Sequence, residues 1–181
     1  MQTVKGDLLT FDADVIVQQC NCVTRNSHGL SKAIEARFPF VDIYRRRDGK
    51  GNKTTKPDTP GTCELFSTEE KSVPKVACLL AQWGPGKPYA WSKFYDPPPN
   101  GEKDTSTQRL EWFKMALEDL TNRLEDLSIK TVAFPYRIGC GLARGDWELY
   151  SDVLEKWTSR QTFKCFIVQK ANERENKIQQ H

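Results

Sequence analysis

The chain has almost no histidine, no long apolar run and no marked excess of one charge. Of its 181 residues only 2 are His, one of them the last, so a metal centre would lack its commonest ligand. No cluster of His, Asp and Glu has ligand spacing. The nearest approach is Cys20-Asn21-Cys22, but zinc sites space paired thiols by roughly two to four residues, and only His28 lies close by. Cys20 and Cys22 read as small residues ending a buried strand, and no metal or cofactor is expected. No apolar stretch approaches the roughly 18 residues that span a bilayer, and the opening MQTVKGDLLTFDAD lacks the basic and apolar regions of a signal peptide. The expectation is a soluble intracellular protein, cytoplasmic or nuclear, with no membrane partner. Lys+Arg total 27 against 24 Asp+Glu, a net charge of +3, far from the basic excess of a nucleic-acid domain. Internal repeats are absent too, which excludes a solenoid.

What is present suits one globular domain. The chain is 38% hydrophobic and 28% charged, enough to build a sizeable core. The expected domain covers 1–170, with a polar tail over 171–181 that frays. The 6 cysteines are scattered among apolar or glycine-rich neighbours and read as reduced thiols.

Val15-Ile16-Val17 is a β-branched run that fits a strand buried on both faces. Leu30, Ala33, Ile34 and Phe38 then recur at helical spacing until Pro39. Arg45 to Pro60, RRRDGKGNKTTKPDTP, is basic and turn-rich and reads as a mobile, solvated loop. Paired strands are expected over Thr62 to Phe66 and Lys75 to Gln82. Trp83 to Lys103 contains Gly84-Pro85-Gly86 and Pro97-Pro98-Pro99, so it reads as an irregular loop, and its aromatics would pack over a site.

Thr105-Ser106-Thr107-Gln108 fits a capping box ahead of a helix carrying Leu110, Phe113, Leu117, Leu120, Leu124 and Leu127. A strand over Lys130 to Phe134, a glycine-rich loop, an amphipathic helix from Trp147 to Trp157 and a strand over Phe163 to Val168 complete the chain. Strands and helices alternate, which predicts an α/β fold: a central mixed β-sheet in a three-layer α/β/α sandwich.

In such sheets ligands bind beyond the carboxyl ends of the strands, where strand-to-helix loops converge. Asn21 to Leu30 is one such loop. The other runs Ile138-Gly139-Cys140-Gly141-Leu142-Ala143-Arg144-Gly145, and its glycines let backbone amides approach an anion. Two glycines before a helix are more often a turn or a packing requirement, but the strand before them and Asp146-Trp147 opening a helix after them describe a phosphate-binding cleft.

Four segments, in order and spanning most of the chain, resemble the macrodomain, the ADP-ribose-binding fold. They are Gly6-Asp7-Leu8-Leu9, Asp14-Val15-Ile16-Val17-Gln18-Gln19-Cys20-Asn21, His28-Gly29-Leu30-Ser31-Lys32-Ala33-Ile34 and Pro135-Tyr136-Arg137-Ile138-Gly139-Cys140-Gly141-Leu142. The resemblance implies that Asp7, with Leu8 beside it, accepts the adenine amino group. A carboxylate offers no donor to the guanine carbonyl. It further implies that Asn21 contacts the distal ribose, that the loop around Gly29 and Leu30 wraps that sugar and its phosphate, and that Ile138 to Ala143 hold the diphosphate through amides. Tyr136 or Trp83 would pack on a ring. Without the resemblance Asp7 reads as a turn residue and Asn21 as a strand-end cap.

The departures from the family concern catalysis. One large group of macrodomain hydrolases carries an aspartate after the glycine-bearing loop, where this chain has Ser31. Another, acting on glutamate esters, uses a lysine and an aspartate where Gln82 and Ala143 stand. The chain looks most like macrodomains related to ADP-ribose-1''-phosphate phosphatases, which hydrolyse a phosphate monoester on the distal ribose. His28, the one non-terminal histidine, would then protonate the leaving oxygen or orient water, acting with Asn21. Asp146 is a further candidate, though the N-cap of the last helix is its plainer role. The expected function is binding of ADP-ribose, with hydrolysis of a derivative at the distal ribose. An ADP-ribosylated protein is a further expected partner. The alternative is a reader module without turnover. Nucleic-acid binding through Arg45 to Lys56 ranks last.

Overall fold

The computed structural model describes residues 1–171. The expected fraying over 171–181 therefore lies, Ala171 apart, outside the described residues. The sheet has six strands, in the order β1 (Gln2–Lys5), β8 (Lys164–Gln169), β7 (Thr131–Pro135), β2 (Val15–Asn21), β6 (Lys75–Gln82) and β5 (Thr62–Phe66). All neighbours are parallel except β5 and β6, so the sheet is mixed.

Among the described residues three helices cover it. They are α1 (Gly29–Arg37), α2 (Ser106–Leu124) and α3 (Trp147–Thr158). Side chains alternate across a strand, and the register Val15↔Val132 and Ile16↔Ala133 puts Phe134 on the sheet face opposite Gln18. Phe134 meets Trp157 of α3 edge-on, with ring centroids 5.8 Å apart, while Gln18 accepts a 2.7 Å hydrogen bond from Ser31 of α1. The Trp157 indole donates to the Leu117 carbonyl at 3.0 Å, joining α3 to α2. Helix α1 therefore covers one face, and α2 and α3 the other, as the alternating pattern predicts.

Local chemistry explains the elements. Val15, Ile16 and Val17 are fully buried, as a central parallel strand requires. Asp14 ties the starts of β2 and β7 together, its carboxylate accepting from the Lys130 and Thr131 amides at 2.7 and 3.1 Å. The Thr105 hydroxyl caps α2 by accepting from Gln108 N at 2.9 Å, and the Asp146 carboxylate caps α3 by accepting from Glu148 N at 3.0 Å. Helix α2 ends at Leu124, so Leu127, expected on its apolar face, lies past its end and is exposed. Apart from one 3-10 turn over Pro99–Gly101, 83–103 has no regular structure.

The segment from Arg45 to Pro60 is largely exposed, as expected of a surface stretch, but it is anchored rather than loose. Its backbone folds into a small hairpin of β3 (Gly49–Lys50) and β4 (Lys53–Thr54), and Arg47 is only 5% exposed. The Arg47 guanidinium donates to the carbonyls of Asn21 and Thr24, each at 2.7 Å, and to Asp58. A basic, apolar-poor stretch is thus held by a buried cation that satisfies carbonyls from another segment, together with bonds from Thr54 N to the Val23 carbonyl and Asp58 N to the Cys22 carbonyl. All six cysteines are buried and free. No helix among the described residues is long and apolar enough to cross a membrane.

Candidate functional site

A cleft opens at the carboxyl ends of β2, β6 and β7. Its central cavity, about 440 Å³, is lined by Asn21, His28, Gly29, Tyr136, Gly141 and Ala143 among others. A neighbouring recess of about 530 Å³ shares Gly29, Leu30, Pro135 and Tyr136 with it and adds Asp7, Leu8 and Leu9. On the other side, past His28 and Pro85, lies a third recess of about 550 Å³ walled by Trp91, Phe94 and Tyr95. The structure thus brings together the segments singled out in the sequence.

The glycine-rich loop spends part of its hydrogen bonding on its own turns and leaves a run of donors free. The carbonyls of Gly139 and Gly141 accept from Gly145 N and Arg144 N at 3.0 and 3.1 Å. The Ala143 carbonyl faces an Arg109 N–H at 3.5 Å. Ile138 N and Cys140 N donate inside the loop, to Pro135 and Arg137. Among the described residues the successive amides of Gly141, Leu142 and Ala143 have no acceptor. Consecutive free N–H groups form an anion-binding concavity. Left-handed backbone at Arg137, Gly139 and Arg144 shapes the turns around it.

Across the cavity stands the N-terminus of α1. Its N-cap, His28, makes no side-chain cap bond, so the first N–H groups of the helix, at Gly29, Leu30 and Ser31, carry partial positive charge without a side-chain partner. The two loops approach closely: a Cβ on Gly29 would lie 3.6 Å from Leu142 Cδ1. Among the described residues the central cavity has no carboxylate in its lining, and Arg137 is its one permanently charged residue. Donors without carboxylates favour an anion.

The remaining expected residues divide. The Asp7 carboxylate accepts from Leu9 N at 3.0 Å through Oδ1, the turn contact, and Asp7 is half-buried with Leu8 buried beside it. Asn21 caps the strand: its Oδ1 accepts from Val23 N and Thr24 N, and its Nδ2 donates to Thr24 Oγ1. Tyr136 lines both the central cavity and the Asp7 recess and meets Trp147 edge-on. Trp83 lies elsewhere, its indole donating to the Asp96 carbonyl at 2.6 Å. Ser31 is tied to Gln18. Gln82 accepts from Gln19 Nε2 at 2.9 Å and donates to the Gly84 carbonyl at 3.0 Å. His28 is exposed and has no hydrogen-bond partner among the described residues. Asp146 caps α3 and does not line the cleft.

Several wall residues carried no legible signal. Gln19 lines the cavity, and its buried Oε1 has no partner among the described residues. The Tyr44 hydroxyl accepts from Asn21 N at 3.1 Å, and burial pushes its pKa well up. Burial likewise pushes the Cys140 thiol up to about 11 and raises Cys63 further. Thiolate, the reactive form, is then scarce at neutral pH. Iodoacetamide at pH 8 should leave Cys140 and Cys63 unmodified in the native protein and label both in urea; native labelling detected by mass spectrometry would contradict this burial. Among the described residues no group of three or more His, Cys, Asp or Glu could hold a metal ion.

No protein-family model matches the chain, and no curated protein matches it. Solved structures do. The macrodomain of Mycobacterium tuberculosis DarG is 20% identical with a TM-score of 0.66, over 94% of this chain and 97% of that one. The macrodomain of Thermus aquaticus DarG is 16% identical with a TM-score of 0.63, over 94% and 97%. A mutant Oceanobacillus iheyensis macrodomain with ADPR is 13% identical with a TM-score of 0.58, over 98% and 88%. These similarities span nearly the whole chain and establish that it has the macrodomain fold.

Proposed function

We propose that the protein binds ADP-ribose in this cleft. The observation that carries the reading is the run of free amides at Gly141, Leu142 and Ala143, set across a carboxylate-free cavity from the uncapped start of α1. A diphosphate fits between two sets of N–H donors. The adenine would then lie in the recess of Asp7 and Leu8, with Tyr136 as the shared wall, and the distal ribose at the end of Asn21 and His28. There a ribose hydroxyl would donate to Gln19 Oε1, the buried acceptor without a partner. A solved neighbour, the Oceanobacillus iheyensis macrodomain mutant, is a complex with ADPR, which supports the choice of ligand.

Calorimetric titration with ADP-ribose tests the reading, using Gly141→Val as the control. A Cβ on Gly141 meets nothing within 4 Å, so the variant keeps its fold while its side chain intrudes on the free amides. Wild type should bind, and Gly141→Val should lose at least about a hundredfold in affinity with its melting temperature almost unchanged. A wild type that gives no heat and protects no amide would remove the proposal. Asp7→Asn should keep the acceptor for Leu9 N but present a donor to the adenine amine, costing about tenfold. Unchanged affinity in that variant would move the adenine elsewhere.

A second reading adds hydrolysis at the distal ribose, of a 1''-phosphate or of an ester to an ADP-ribosylated protein. It is favoured by His28, whose unpartnered imidazole borders both the central cavity and the third recess. In this reading His28 protonates the leaving sugar oxygen or orients the attacking water, with Asn21 holding the loop. Phosphorus NMR with ADP-ribose-1''-phosphate checks it. Release of inorganic phosphate that His28→Ala abolishes, with ADP-ribose still bound, is the expected result. Turnover that survives His28→Ala would clear His28 of the role, and no release by the wild type would leave an ADP-ribose reader or a hydrolase for another linkage.

A further inference from the structure

We propose that Arg109, which does not line the cleft, is the positioning residue that sets the geometry of its diphosphate-binding wall, an inference that rests on the ADP-ribose reading above. Arg109 is 2% exposed and sits in the first turns of α2. Helix stability alone disfavours a cation there, since the N-terminal dipole is positive. Asp104 offsets that cost, with its Oδ1 and Oδ2 accepting from Nε and Nη2 at 2.6 and 2.8 Å.

The rest of the guanidinium reaches the loops. Nη2 donates to the Gly84 carbonyl at 3.1 Å, and Nη1 to the Gly86 carbonyl at 2.6 Å and the Ala143 carbonyl at 3.5 Å. Every N–H of the fork thus has an acceptor. Asp104 also accepts from Gly84 N at 3.2 Å, so both polar groups of Gly84 are held by one ion pair. From Gly84 the chain of bonds runs to Gln82 and on to Gln19. Gly86, Gln82, Gln19 and Ala143 all line the central cavity, and they come from three separate segments. By drawing the Ala143 carbonyl away from the cavity, Arg109 leaves the loop's free amides aimed into it. A buried ion pair is weak evidence for stability but suits the specification of one arrangement. Lysine cannot replace it, having three donors and no planar fork.

Arg109→Lys tests the proposal by titration and hydrogen exchange. The variant should fold, bind ADP-ribose at least roughly tenfold more weakly, and bind adenosine, which lacks the diphosphate, as the wild type does when followed by chemical shifts. Exchange should quicken at Gly84, Arg144 and Gly145, whose amides report the loops, and stay unchanged in β2 and β7. Equal losses for adenosine and ADP-ribose, or unchanged ADP-ribose affinity with unchanged exchange, would overturn it. Asp104→Asn, of nearly the same shape, should give the same pattern and decides the matter if Arg109→Lys does not fold. Should the wild type bind no ADP-ribose, the functional reading fails, and exchange alone judges the positioning claim: quickening confined to the two loops supports it, and unchanged exchange overturns it.

Discussion

Gly139→Ala is expected to destabilise the protein by about 3 kcal/mol and to abolish ADP-ribose binding. Gly139 has φ +74°, and a Cβ there would sit 2.6 Å from Tyr150 Cε1 and 2.7 Å from Gln19 Oε1. Alanine meets two separate penalties, a left-handed backbone that L residues adopt at a cost and an overlap with a buried ring. Tyr150 cannot yield easily, because it is 3% exposed and packs on Phe113 at a centroid separation of 4.7 Å. The strain falls to the loop, where displacement misaligns the amides of Gly141 to Ala143. For a chain of this length such a loss corresponds to roughly 6–12 °C in melting temperature. The contrast with Gly141→Val, where binding falls and melting holds, separates a glycine needed for packing from one needed for access. Gly139→Ala melting within a degree of wild type would show that the loop absorbs a Cβ and would remove this account of its shape.

Arg47→Ala should cost about 3–5 kcal/mol. The Arg47 side chain is 3% exposed, against 22% for its partner Asp58, with the closest approach at 2.6 Å. Truncation strands the carbonyls of Asn21 and Thr24 without donors and leaves Asp58 facing a cavity. It also removes the cation stacked 4.8 Å from the Tyr44 ring centroid. A buried acceptor without a donor forfeits its desolvation energy in full. Urea unfolding followed by tryptophan fluorescence reads the loss. Asp58→Ala placed in the Arg47→Ala background should cost less than Asp58→Ala alone, because the carboxylate has already lost its buried partner there and keeps only Arg46 at 3.5 Å. A loss under about 1 kcal/mol would be the behaviour of a solvated surface loop, which is how the segment reads in sequence.

Much of the architecture was legible because it depends on local pattern. The β-branched run Val15-Ile16-Val17, the caps at Thr105 and Asp146 and the spacing of Phe113, Leu117 and Leu120 each dictate an element through near-neighbour chemistry. Strand β1 left no such trace. Gln2–Lys5 is mostly exposed, and only its parallel pairing with β8, far away in sequence, makes it a strand. The anchoring of segment 45–60 was hidden for the same reason, since the acceptors of Arg47 belong to Asn21 and Thr24.

The site divides along the same line. Residue identities by themselves singled out segments that the fold brings to one cleft: glycines before α3, Asp7 and Leu8, a polar loop after β2, and a resemblance to macrodomains that the shared fold now accompanies. Tertiary structure alone decided which amides are free, that Asn21 spends its side chain on its own turn, that Trp83 faces away, and that Arg109 joins the loop of Gly84 and Gly86 to that of Ala143. The physical reason is that a hydrogen bond is a property of a pair. A sequence lists donors and acceptors one at a time, and only the folded chain determines which of them are already spent.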